Sequence, residues 1–458
     1  MSIKLNLIKF QLYQQNRKTK VDIGILRRTI YLLSLSAIFI NPVAANQLPT
    51  PQISPTPAET YITQTTAEDF ILRGVQKLEI GNLQEAIEDF DQAITIDPNS
   101  VPAYFNRGQA YVLQGEIQKA LTDFNQAIEI DPNSFIAYNN RGLAHLQRGD
   151  FEGAIADFTT VIDMNSNFAP AYNNRGVTHL QVGNIQDAIA DFNRTIEITP
   201  NDVMAYNNRG FTRLIQGNIQ QAISDFNQAI ELNPNDVSAY QSRITVNLEQ
   251  GNIQEAISDL NRVIQLDPNS AQAYADRGLA RLQQGKLQQA LSDLNQAIEL
   301  DSNLAMPYNN RGCIYMQQGK IKDAIYNFNQ AIELNSNLFL AYNNRGNAFL
   351  EQGKIQEAIA DLTQAIEINP NYAQAYSNRG FVHLQQNDLQ TALADLNQAL
   401  EINPNYAQAY YHRGLTRVQR GNEEEAIADF QKAADLSRQQ GNMTIYQNAL
   451  DQIQQIQP

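Results

Sequence analysis

The chain has 458 residues and a formal net charge of −15, from 48 acidic and 33 basic side chains. This excess of negative charge disfavours nucleic acid and anionic lipid as partners, because both are negatively charged themselves. The single cysteine, Cys313, excludes an intramolecular disulfide.

The first 45 residues are typical of an export signal. Arg27 and Arg28 precede an apolar run over 29–40, and Val43 and Ala45 are the small residues that signal peptidase requires. The apolar run is shorter than the roughly 20 residues of a transmembrane helix. We therefore expect residues 1–45 to be a signal peptide and the mature protein to lie in the periplasm or outside the cell. The alternative is an uncleaved signal that anchors the chain to the membrane.

A linker and then a tandem repeat follow. Residues 46–66 are rich in proline and threonine, which predicts a disordered linker. From 67 to 440 the sequence repeats every 34 residues without insertion or deletion, which gives eleven units. A fixed period of this length indicates a helical solenoid, whose units pack mainly against their neighbours. The units are 67–100, 101–134, 135–168, 169–202, 203–236, 237–270, 271–304, 305–338, 339–372, 373–406 and 407–440.

The unit 135–168 shows how each repeat is expected to fold. Tyr138 and Gly142 lie on one face of a first helix, which Gly149 ends. A second apolar face begins at Phe151 and has the same helical spacing. The sequence therefore predicts an all-α fold of helix–turn–helix pairs.

These columns resemble the tetratricopeptide repeat family over residues 67–440. The matching features are an aromatic residue at the fourth position, glycine at the eighth, alanine at the twentieth, phenylalanine or leucine at the twenty-fourth and proline near the thirty-second. The resemblance implies a right-handed superhelical solenoid whose first helices line a concave groove that binds peptides or proteins. With the N-terminal signal, it indicates an exported bacterial multi-repeat protein. Residues 441–458 carry apolar residues at helical spacing and are predicted to form a C-terminal capping helix.

The seventh position departs from the family, because it is arginine in every unit. It lies on the packing side of the first helix, so its charge needs a partner. The twenty-third position is aspartate in ten of the eleven units. It lies on the antiparallel second helix, as many residues after the turn glycine as the arginine lies before it. We predict structural ion pairs between these positions, among them Arg107–Asp123, Arg141–Asp157 and Arg175–Asp191.

Asparagine dominates the face of the first helix that points away from the packing side. An amide both donates and accepts hydrogen bonds, which matches the main chain of an extended peptide. A similar asparagine ladder lines the repeats of the O-linked N-acetylglucosamine transferases, where it holds substrate peptides; the alternative is a solvated polar face. Ser242 and Asp276 interrupt the asparagines at the sixth position. The predicted peptide-binding residues are Asn106, Asn139, Asn140, Asn173, Asn174, Asn207, Asn208, Asn310, Asn344, Asn378, Phe211 and Phe381.

The sequence contains no metal-ligand spacing, phosphate-binding loop or nucleophile motif. We therefore expect a protein that is not an enzyme and that uses no cofactor and no metal. The leading hypothesis is a non-catalytic scaffold that binds extended segments of a protein or peptide partner in an asparagine-lined groove. The second is a structural envelope assembly protein that associates through its ends or its convex face.

Overall fold

This computed structural model describes residues 65–457, which form 23 α-helices and no strand. The predicted signal peptide and nearly all of the predicted linker lie outside the described residues. The predicted all-α fold of tandem helix pairs is confirmed. None of the helices in 65–457 is long and apolar enough to cross a membrane.

The chain divides into two compact units, and the first ends at Arg243. Within it, successive helices pack as antiparallel pairs, and each pair packs on the next. Its helices are α1 (Ala67–Glu79), α2 (Leu83–Ile96), α3 (Val101–Gln114), α4 (Ile117–Ile130), α5 (Phe135–Arg148), α6 (Phe151–Met164), α7 (Ala169–Val182), α8 (Ile185–Ile198), α9 (Val203–Ile215), α10 (Ile219–Leu232) and the first half of α11 (Val237–Gln250).

The second compact unit begins at Ile244, in the middle of α11. It repeats the same pairwise packing. Its further helices are α12 (Ile253–Leu266), α13 (Ala271–Gln283), α14 (Leu287–Leu300), α15 (Ala305–Gln317), α16 (Ile321–Leu334), α17 (Phe339–Glu351), α18 (Ile355–Ile368), α19 (Ala373–Gln385), α20 (Leu389–Ile402), α21 (Ala407–Gln419), α22 (Glu423–Gln439) and α23 (Met443–Ile456).

A left-handed residue ends each first helix. Gly149 has φ 81° and its N–H reaches the carbonyl groups of His145 and Leu146, which closes α5. Asn387 takes the same place with φ 61°, and it is the one residue other than glycine with a positive φ in the described chain. Asparagine tolerates this conformation better than most residues, so the substitution keeps the turn.

Glycine at the eighth position lets the two helices of a pair approach closely. A Cβ atom on Gly142 would lie 2.8 Å from Cε1 of Phe158, which is too close for two carbon atoms. Phe158 and Ala154 are fully buried at this contact. Each pair thus has its own small core, and the position of each first helix is fixed by the second.

The last helix, α23, covers the end of the repeat array. It packs on α22 and α21, and Ile445 and Ala449 are buried in a cluster with Phe430 and Ala433. An array of this kind needs such a helix, because its terminal unit would otherwise expose the apolar face that a following unit covers elsewhere.

Candidate functional site

Two polar columns lie on the first helices. The arginine column consists of the seventh residue of each unit, from Arg73 to Arg413. The asparagine ladder consists of the fifth and sixth residues, most of which are asparagine. Their different hydrogen bonding separates a structural column from a candidate binding surface.

In nine units of the arginine column, the guanidinium meets the carboxylate of its own unit through two parallel hydrogen bonds. Arg141 donates from Nε and Nη2 to Asp157 at 2.9 and 2.6 Å. Arg107 contacts Asp123 at 2.8 and 2.7 Å in the same way, and Arg175 lies 2.9 and 2.7 Å from Asp191. The hydrogen bonds to Asp157 raise the pKa of Arg141 above its ordinary value. This fork geometry holds the two helices of a unit together.

Sequence reasoning missed a third contact of the arginine column. Arg141 also donates from Nη1 to Asn125 of the preceding unit at 2.8 Å, and its guanidinium lies 5.1 Å from the centre of the Tyr138 ring. The same contact recurs in the other units after the first, so the arginine also joins neighbouring units. The sequence signal is the polar twenty-fifth position, whose residues in this contact are Asp91, Asn125, Thr159, Asn193, Asn227, Asn261, Asn295, Asn329, Thr363 and Asn397.

Unit eight is the exception within the arginine column, because its twenty-third residue is Asn327. Arg311 donates from Nε to Oδ1 of Asn327 at 2.7 Å, and the amide of Asn327 donates to the carbonyl of Asp323 at 2.8 Å. Arg311 also keeps its contact with the preceding unit, to Asn295 at 2.8 Å. Asn327 thus accepts one hydrogen bond from Arg311 and carries no charge, whereas the carboxylate of other units accepts two hydrogen bonds and is charged.

The asparagine ladder is closed by hydrogen bonds between units. The sixth residue of one unit donates from Nδ2 to Oδ1 of the fifth residue of the unit before it. Asn378 meets Asn343 at 2.9 Å and Asn344 meets Asn309 at 3.0 Å in this way. The two other closed junctions are Asn208 to Asn173 at 3.1 Å and Asn174 to Asn139 at 3.4 Å.

Most side chains of the ladder are buried, although the sequence predicts that they lie on the face that points away from the packing side. Asn343 is fully buried, while Asn140, Asn208 and Asn344 are partly exposed. The helical pattern indicated the correct face but not the distance to the next unit, where a matching amide lies. The further buried members are Asn106, Asn139, Asn173, Asn174, Asn207, Asn309, Asn310 and Asn378.

The ladder is open where one of the two amides is missing. Asn106 and Asn140 follow units with Ile71 and Phe105 at the fifth position, and both donate instead to a carbonyl of their own helix, at 2.8 and 2.9 Å. Asn310 follows Ala275, and its Nδ2 has no acceptor among residues 65–457. The Oδ1 of Asn310 accepts from Nδ2 of Asn309 at 3.2 Å, so only the amide nitrogen remains without a partner in unit eight.

A mirror-image defect lies in units five and six. Ser242 replaces the asparagine and gives its hydroxyl to the carbonyl of Ser238 at 2.8 Å. Asn207 donates to the Ser238 hydroxyl at 2.8 Å, and its Oδ1 is buried with no donor. Serine is too short to reach across the junction as asparagine does elsewhere.

The two phenylalanines of the predicted site have different surroundings. Phe211 is buried and packs edge-on against Phe226, with ring centres 5.5 Å apart, so it belongs to the core of its unit. Phe381 is partly exposed and stacks on His412 at 4.5 Å. His412 takes the sixth position of unit eleven, where burial lowers its pKa to about 4, and its Nδ1 lies 3.4 Å from the Ser377 hydroxyl.

The described residues contain no group of three or more His, Cys, Asp or Glu side chains that could hold a metal ion. The fold and the two columns define a class, the helical repeat proteins built from antiparallel helix pairs. Models of the TPR repeat match residues 76–115, 108–147, 312–353 and 346–387. Models of the tetratricopeptide repeat match 245–306, 380–450, 203–236 and 139–203. These matches span most of the chain, which therefore belongs to the tetratricopeptide repeat family.

Solved structures with a similar arrangement come from several proteins. Yeast Tom70 is 18% identical, covers 85% of this chain and 96% of its own, and has a TM-score of 0.44. A tetratricopeptide repeat protein from Parabacteroides merdae ATCC 43184 is 20% identical. This match covers 54% of the present chain and 98% of the P. merdae chain, with a TM-score of 0.41. YrrB, described as a TPR protein with an unusual peptide-binding site, is 24% identical. This match covers 42% of the present chain and 97% of the YrrB chain, with a TM-score of 0.32. No curated protein matches by sequence.

Proposed function

We propose that this chain is a non-catalytic scaffold that binds extended protein or peptide segments on the ladder face of its first helices. The family to which it belongs is one of protein–protein interaction scaffolds. The observation that carries this proposal is the open part of the asparagine ladder, where the amide nitrogen of Asn310 in unit eight has no acceptor within the described chain. Because an amide nitrogen without an acceptor in the chain is free to donate, an open junction is the place where a ligand main chain gains most.

At the closed junctions the asparagines contribute to the structure before they contribute to ligand binding. At these junctions one donor and one acceptor are already used between units, so the ladder first holds neighbouring units together. The asparagines of the fifth position are all buried, whereas some of those at the sixth position are partly exposed. We therefore place the ligand along the sixth position and assign the buried fifth position to the structure.

Two exposed side chains of unit eight provide a matched test. Met306 is 39% exposed at the start of first helix α15, and Tyr326 is 60% exposed on second helix α16. Peptides selected from a random library on the purified chain should lose binding to Met306→Arg and keep binding to Tyr326→Arg, as measured by fluorescence anisotropy. The reverse pattern would favour association through the convex face, which is the alternative function.

We also propose that the protein is exported, on the basis of the basic and apolar segments before Ala45. N-terminal sequencing of protein from the periplasm or medium should begin at Asn46. Full-length chain that stays in the membrane fraction after a salt wash would instead show an uncleaved anchor.

A further inference from the structure

The one carboxylate on the sixth position of the ladder is Asp276, in first helix α13. It is partly buried, and Gln272 donates to it at 2.8 Å from the preceding turn. No cation among the described residues lies within ion-pair distance of it. The arginine that follows it, Arg277, is already bound to Asp293 at 3.0 and 2.7 Å and to Asn261 at 2.8 Å.

An unpaired carboxylate in such a position needs a reason. Burial raises the pKa of Asp276 to about 6, because the charged form has lost part of its solvation. Asparagine takes the sixth position in seven other units, so the backbone accepts a neutral side chain there. Charge at this position therefore lowers stability, and nothing in the packing of α13 requires it.

The next unit has two unpaired amide atoms on the same face. Asn310 is 3% exposed, and its Nδ2 has no acceptor in the described chain because Ala275 stands where other units have asparagine. Gln317, two turns further along α15, has a buried Oε1 without a donor. The helices α13 and α15 contact each other, so these atoms and Asp276 belong to adjacent first helices.

The spacing suits an extended chain. Seven residues of helix separate Asn310 from Gln317, about 10 Å along the axis. About three residues of an extended segment span that distance. One amide of this pair offers a donor and the other an acceptor, which is the pair that a peptide main chain requires.

We propose that units seven and eight bind an extended segment that carries a lysine or arginine, whose cation pairs with Asp276 while Asn310 and Gln317 hydrogen-bond its main chain. This inference rests on the proposed peptide-binding function and names its specificity determinant. The cation supplies the partner that the carboxylate lacks, in a partly dry site where charged hydrogen bonds are stronger than in water.

The test is a parallel selection from a random dodecapeptide phage library on the full chain, on Asp276→Asn and on Glu299→Gln. Glu299 is an exposed carboxylate on second helix α14, so its variant makes the same change in net charge away from the ladder. The chain and Glu299→Gln should enrich lysine or arginine at one fixed position, and Asp276→Asn should not. For a selected peptide, replacing that lysine with norleucine should weaken binding to the chain about tenfold and leave binding to Asp276→Asn unchanged.

The outcomes separate the two proposals. If the chain selects peptides without a fixed basic residue, or if Asp276→Asn keeps the same preference, the role of Asp276 is wrong while peptide binding stands. Basic residues spread over all positions would show general attraction to an acidic protein and would also overturn it. If no peptide is selected, the peptide-binding function itself fails.

Discussion

The arginine column and the asparagine ladder differ in how strictly they repeat. Arginine stands in every unit, and in every unit after the first it donates to the twenty-fifth residue of the preceding unit. The ladder is closed at four junctions, from Asn139 to Asn208 and from Asn309 to Asn378, and is altered elsewhere. A column that never varies is explained by architecture alone, because every unit needs it. A column that varies from unit to unit can carry recognition at the places where it varies.

The largest expected effect compares the arginine column in neighbouring units. Arg345→Ala leaves the 7% exposed carboxylate of Asp361 without a cation, a change that costs about 3 kcal/mol at a buried pair. Arg311→Ala strands only the amide of Asn327 and should cost about 1 kcal/mol. Each substitution also removes a hydrogen bond to an asparagine of the preceding unit, Asn329 for Arg345 and Asn295 for Arg311. The two variants therefore lose this contact equally. Equal losses in urea melts followed by circular dichroism would refute the assigned charge pairing.

We predict that unit eleven, whose sixth residue is His412, loses stability at acid pH. His412 has its pKa lowered to about 4 by burial, below its ordinary value of 6.5. The unfolded chain therefore binds the proton first, and stability falls as the pH drops from 6.5 towards 4. We expect a loss of about 2 kcal/mol at pH 4.5 that is absent in His412→Asn. Hydrogen exchange of α21 at pH 7 and pH 4.5 measures it, and the same pH dependence in both proteins would contradict it.

Closed and open junctions of the ladder should differ in stability. Asn378→Ala removes the donor to Asn343 and leaves a fully buried oxygen unpaired, at a cost of about 1–2 kcal/mol. Asn310→Ala removes a nitrogen that has no acceptor, together with the longer 3.2 Å hydrogen bond from Asn309 to its Oδ1, and should cost less. Urea melts of the two variants check this. A larger loss for Asn310→Ala would mean that unit eight has no open junction.

The smallest effect has the opposite sign. The pKa of Asp276 lies near 6, above the ordinary 3.8, so the folded state prefers the protonated carboxyl and the ionised form destabilises it. Asp276→Asn should therefore raise the free energy of unfolding at pH 7.5, by at most about 1 kcal/mol because solvent screens part of the charge. The gain should fade as the pH falls from 6 to 4. A loss of stability at pH 7.5 would show that the packing requires the carboxylate.

The sequence predicted the fold because the repeat carries it in every unit. Gly149 marked the turn of its unit, and the equal spacing of Arg141 and Asp157 from that turn predicted a contact within one hairpin. It did not reveal the bond from Arg141 to Asn125, nor that Asn343 and Asn378 meet. Those contacts join neighbouring units, and helical periodicity within one unit carries no information on the register between units.

Hydrogen–deuterium exchange of the chain with and without a selected peptide tests the central claim, that the ligand binds where the ladder is open. Added peptide should protect the amides of α13 and α15 in units seven and eight. The amides of α17 and α19, whose ladder residues Asn343 and Asn378 already bond to each other, should change little. Protection centred on α17 and α19, or spread evenly over all first helices, would contradict the account.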